Sequence, residues 1–109
     1  RNNWYPGQVL PADSPYVEKR VDVLSARARQ AFLEHYPVTM DRSAKATIYR
    51  SIPMGPLVEV FALDMRTHRD ANSTNLQRPP AGAPFLGRRQ ADWLADALLR
   101  STAMWKVVA

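Results

Sequence analysis

Leu57-Val58-Glu59-Val60-Phe61-Ala62-Leu63 is the stretch whose reading decides the fold. It is apolar on both parities, and Glu59 is the one interruption. A strand with one wet face alternates between apolar and polar residues, so this strand reads as buried on both faces, the habit of sheets covered by a layer on each side. Just upstream, Thr47-Ile48-Tyr49-Arg50-Ser51-Ile52 alternates as a second strand. Pro53-Met54-Gly55-Pro56 between them has turn chemistry, so the two strands are expected to form an antiparallel hairpin.

Downstream, Asn72 to Pro84 is a loop of Asn, Ser, Thr, Pro, Ala and Gly. Loops longer than about 12 residues in compact domains are often functional. A helix follows over roughly 87–100, with Gln90, Trp93, Leu94, Ala97 and Leu98 along one stripe. Ser101-Thr102 breaks it, and Met104 to Ala109 reads as a further strand, so strand, helix and strand make a right-handed parallel crossover. Trp93, Leu94 and Trp105 are expected in the core.

Towards the start, Val17, Val21, Leu24, Ala28, Ala31 and Phe32 recur at helical spacing. Ser14 as cap and Pro15 in the first turn suit a helix entry, and Pro37 stops the helix, so it is expected over roughly 16–35. Arg1 to Pro15 reads as an ordered loop and Asp41 to Lys45 as a polar linker. The fold class is therefore α/β, in the order α-β-β-α-β, with one hairpin and one crossover.

A length of 109 residues allows one domain at most. No apolar run approaches the roughly 20 residues that span a bilayer, and no targeting leader is visible. The absence of cysteine permits an oxidising compartment without demanding one. With 15 basic and 10 acidic residues the net charge is +5 and the isoelectric point about 10.1, which raises the question of nucleic acid. The 12 arginines and 3 lysines are scattered along the whole chain rather than gathered in a stripe, so a solvated basic surface explains them better. Two helices offer little cover for a strand buried on both faces. The last strand runs straight into the chain end, and the chain starts at Arg1. The expectation is a piece of a larger domain, incomplete at both ends.

Chemistry-bearing patterns are few. There is no Gly-rich phosphate loop, no Ser elbow and no metal-spaced His/Cys cluster. His35, at the end of the first helix, is placed to cap or pack. Asn72-Ser73-Thr74 matches the glycosylation triplet and carries little weight. Asp64, Arg66, His68 and Asp70 share one parity as the apolar strand leaves the sheet, and would face one side if the chain stayed extended. Ligands of open α/β sheets gather at that carboxyl edge. An arginine there can grip two phosphate oxygens, with a carboxylate to orient it. The bland alternative is an Asp–Arg pair that closes the sheet end.

Several segments together resemble the PhoD-like alkaline phosphatases (the alkaline phosphatase D family). Asn2-Asn3-Trp4-Tyr5-Pro6-Gly7 is similar to the segment that follows that family's Asp-Asp-His-Glu motif. Ala28-Arg29-Gln30-Ala31-Phe32 and Tyr36-Pro37-Val38 look like its next helix and the loop leaving it. Ile48-Tyr49-Arg50-Ser51 and Leu63-Asp64-Met65-Arg66-Thr67-His68-Arg69 resemble two of its strands. Phe85-Leu86-Gly87 with Gln90, Trp93 and Leu94 resembles a helix start, and Trp105-Lys106-Val107 a further strand. Met65 and His68 stand where the family usually has threonine and tyrosine, so no ligand role passes to His68.

The resemblance implies that residues 1–109 are an internal segment of one metallophosphatase catalytic domain, a calcineurin-like α/β sandwich. It implies a secreted, extracellular or periplasmic hydrolase of phosphate mono- and diesters, using calcium and iron, with a metal-bound hydroxide attacking phosphorus. The metal ligands are expected outside this chain, so no metal ligand is assigned within it and the isolated chain is expected to be inactive. Its partners would be the phosphate ester and the remainder of the domain. Asn2 and Asn3 would lie beside the metal centre, and Asp64 and Arg66 at the strand edge facing the substrate phosphate. The competing expectation, from a different class, is a small non-catalytic basic module that binds an anionic partner such as nucleic acid.

Overall fold

The computed structural model describes residues 3–37, 47–71 and 85–109. Asn2, the linker at Asp41 to Lys45 and the whole loop from Asn72 to Pro84, glycosylation triplet included, lie outside the described residues. The elements are α1 (Val21–His35), β1 (Arg50–Met54), β2 (Val58–Ala62), α2 (Arg88–Arg100) and β3 (Trp105–Val108), in the expected α-β-β-α-β order. The chain forms two compact units. The first holds residues 1–46 and 70–83, the second 47–69 and 84–109.

In the first unit, α1 begins at Val21, five residues later than the periodicity predicts. The reason is tertiary. Leu10 N–H donates to Lys19 O at 2.8 Å, Val9 bridges Arg20, and Val21 N–H donates to Gln8 O at 3.0 Å. This pairing holds residues 18–20 extended, where the apolar pattern alone would have wound them into helix. Ser14 does not cap the helix; Arg20 occupies that position with no side-chain bond. Lys19 Nζ instead ties the preceding turn, donating to Ser14 O at 2.7 Å and Ala12 O at 3.1 Å. Of the expected stripe only Val21 is buried, as is Leu10 in the preceding loop, and Val17 is fully exposed. His35 ends the helix exposed to solvent.

The second unit is a three-stranded sheet in the order β1-β2-β3. β1 pairs antiparallel with β2, in the expected hairpin. β1 sits later than the alternation suggests, because Pro53 pairs with Glu59 inside the strand and the turn shifts to residues 55–57. Proline is tolerated there because, among the described residues, β1 has a neighbour on one side only, and an outward position needs no N–H. β3 runs parallel to β2, with Val60 opposite Val107, as the strand–helix–strand reading requires. The ladder continues past both ends: Trp105 N–H donates to Leu57 O, Ala109 N–H to Phe61 O and Leu63 N–H to Ala109 O.

Opposed residues share a sheet face. On one face Phe61 is wholly buried, its ring 6.5 Å from that of Trp93 on α2. Trp93 in turn packs at 4.8 Å on Tyr49. The other face aligns Ile52 with Val60 and Val107, and Met54 with Val58 and Trp105. There Ile52, Met54, Trp105 and Val107 are 42–64% exposed. The expected burial of β2 on both faces thus holds on the α2 side alone within this unit. Trp105, expected in the core, lies on the open face, and Trp93 and Leu94 are half-buried.

Candidate active site

The chain leaves β2 at the carboxyl edge shared by the two parallel strands, and it does not stay extended. Residues 65–68 turn, so the alternation that would have put Asp64, Arg66, His68 and Asp70 on one side is broken. The cause is Asp64 itself. Its Oδ1 accepts the main-chain N–H of Arg66 at 3.0 Å and of Thr67 at 2.9 Å, the short-range bonding by which aspartate folds the residues after it into a turn. Asp64 is 7% exposed, and Arg66 and His68 are half-buried.

Burial on its own would raise the Asp64 carboxyl. The hydroxyl and N–H of Thr67, the N–H of Arg66 and the nearby His68 outweigh it and hold the carboxyl below its ordinary value. A depressed carboxylate pKa contributes stability that is complete above the unfolded value of about 3.9 and is lost as pH falls through the folded value. The turn is therefore at full strength at neutral pH.

The N-terminal edge of α2 closes on this turn. Gln90, fully buried, accepts Asp64 N–H through Oε1 at 2.6 Å and donates through Nε2 to Asp64 O at 3.0 Å and Leu86 O at 2.9 Å. Gly87 has φ 72°, and a Cβ there would stand 2.8 Å from His68 Cβ and 2.9 Å from His68 O. A left-handed φ costs a residue with a side chain about 1–3 kcal/mol, and the carbonyl cannot move away without moving the turn. Gly87→Ala should lower stability by at least about 2 kcal/mol in denaturant unfolding of the full-length protein. An unchanged midpoint would show that the contact is relaxed at no cost. His68 also meets Tyr49 edge-on at 5.5 Å, and Arg69 lies over the Phe85 ring at 5.1 Å.

Of Asn2, Asn3, Asp64 and Arg66, the residues expected near the site, Asp64 and Arg66 come together here and Asn2 lies outside the described residues. Asn3 belongs to the first unit, where it takes φ 54° two positions before Tyr5-Pro6-Gly7. That segment is anchored by Gly7 N–H donating to Asp22 Oδ1 at 2.8 Å. Thr67, Gly87 and Gln90 complete the second-unit cluster. Gln90 had a visible signal, as the one polar residue on the apolar stripe of its helix. Among the described residues no three His, Asp or Glu side chains group as a metal-ligand set, and no helix is long and apolar enough to cross a membrane.

The PhoD-like phosphatase family matches residues 1–109, the whole chain. The chain belongs to that family. It is 33% identical over 94 residues to alkaline phosphatase D of Bacillus subtilis (strain 168), an alignment covering 77% of this chain and 16% of that protein. It also superposes on the solved structure of PhoD with a TM-score of 0.69 and 28% identity, covering 99% of this chain and 22% of that one. The chain thus covers less than a quarter of the length of these PhoD-like relatives. The alternative of a free-standing basic module finds no support among them.

Proposed function

We propose that this chain is a segment of the catalytic domain of a secreted phosphoesterase that hydrolyses phosphate mono- and diesters. The observation that carries the reading is Arg66, presented at the carboxyl edge of two parallel strands on a turn fixed by Asp64 and Gln90. In this reading the guanidinium grips two oxygens of the substrate phosphate and meets the charge that grows there as the ester bond breaks. Asp64 serves Arg66 through the main chain, as the acceptor that folds the turn. By the family resemblance, Asn2 and Asn3 belong to the stretch of sequence that follows the metal-binding motif.

The PhoD relationship suggests metal dependence, but the described residues do not fit the calcium and iron expected from the sequence resemblance, since they offer no ligand set. Those ions and the hydroxide they would activate are assigned to other parts of the domain. The open apolar face of Ile52, Met54, Trp105 and Val107 supports a sandwich of the calcineurin-like kind, in which a further layer covers the sheet. The full-length protein should hydrolyse p-nitrophenyl phosphate and bis-p-nitrophenyl phosphate, and lose that turnover on chelation. Turnover that survives complete metal removal would contradict the metal-dependent reading, and no turnover of either ester by metal-replete protein would contradict the reading as a whole.

A further inference from the structure

We propose that Gln90 is the positioning residue of Arg66, an inference that rests on reading Arg66 as the phosphate grip. A buried primary amide is costly unless its bonds are made, and on this stripe a leucine or methionine would fill the same space and pack against the sheet without that demand. Gln90 makes three bonds, all to main chain, and two of them take the N–H and the C=O of Asp64, 26 positions away. The third takes Leu86 O, just before the helix. Both polar groups of the Asp64 peptide backbone are therefore set by α2 rather than by the sheet.

From there the geometry is passed on in one step. The Asp64 carboxylate takes the N–H of Arg66 and of Thr67, so the residue that Gln90 fixes is the residue that folds the turn. On the far side of Arg66, the close approach of Gly87 to His68 fixes where the turn ends. Arg66 is thus placed from both flanks by the first turn of one helix. Misplacement of a substrate-gripping group by about 1 Å can cost on the order of a hundredfold in rate, so a few tenths of an ångström at Asp64 would be felt at the phosphate.

The test is a double-mutant cycle in the full-length protein, reading kcat/KM for bis-p-nitrophenyl phosphate and normalising to the folded fraction. With Arg66 present, Gln90→Leu should lower kcat/KM at least about tenfold; in an Arg66→Ala background the same change should cost less than about threefold. Equal losses in the two backgrounds would make Gln90 a structural residue alone and overturn the proposal. If Gln90→Leu does not fold, Gln90→Glu decides in its place. It keeps an acceptor for Asp64 N–H but sets an oxygen against two carbonyls, and the same non-additivity is expected. An Arg66→Ala variant with unchanged kcat/KM would overturn the reading of Arg66 itself, and this inference with it.

Discussion

Arg66→Ala in the full-length protein should lower kcat/KM for phosphodiesters by at least about tenfold, with the fold intact. Removing one preorganised donor to a developing negative charge in a comparable site costs on the order of a hundredfold to a thousandfold, and tenfold is the floor set by a grip shared with other groups. The fold should survive because the main-chain bonds that shape the turn are kept in the variant. Asp64 Oδ1 binds the Arg66 main-chain N–H, which alanine keeps, and Gln90 binds main chain only. Arg66→Lys should recover little, since an ammonium cannot make the paired bonds of the planar fork. An unchanged kcat/KM in Arg66→Ala would remove Arg66 from the site.

The isolated 109-residue chain should show no turnover of p-nitrophenyl phosphate with any added divalent or trivalent metal. The described residues contain no group of three ligating side chains, and the substrate grip without an activated nucleophile leaves the ester bond untouched. The same chain should be poorly soluble. Ile52, Met54, Trp105 and Val107 line one sheet face at 42–64% exposure, and β1 and β3 each have a single neighbour among the described residues. Unpaired strand edges beside an apolar face are a template for association. Turnover above a heat-killed control would mean that a ligand set has been missed.

The parts of the fold that were legible in the sequence are those decided by local chemistry. The two-sided apolar run at 57–63 marked the central strand, and the stripe from Gln90 to Leu98 marked α2 to within a residue. The hairpin and the parallel return of β3 followed from turn residues and from the helix between the strands. What escaped was set by contacts distant in sequence. The entry to α1 moved because the opening loop pairs with residues 19–20, which no periodicity in 16–35 records. Pro53 reads as turn chemistry anywhere except on an edge strand.

At the candidate site the same division holds. Asp64 and Arg66 were found from their place at the end of the apolar strand. Their geometry was not, because parity assumes an extended chain and Asp64 bends it. Gln90 was counted with the apolar stripe, and its bonds to Asp64 close over a distance of 26 positions that sequence spacing does not reveal. Gly87 looked like a helix boundary. Its tighter constraint, the approach of His68, exists only once the turn has folded.

The most direct measurement is hydrolysis of bis-p-nitrophenyl phosphate by two preparations assayed side by side, the metal-replete full-length protein and the 109-residue chain supplied with the same metals. Turnover by the full-length protein, abolished by chelation and absent from the short chain, is the predicted result. A full-length protein with no phosphoesterase activity, or a short chain that turns over on its own, would contradict the account of this chain as the substrate-gripping part of a larger catalytic domain.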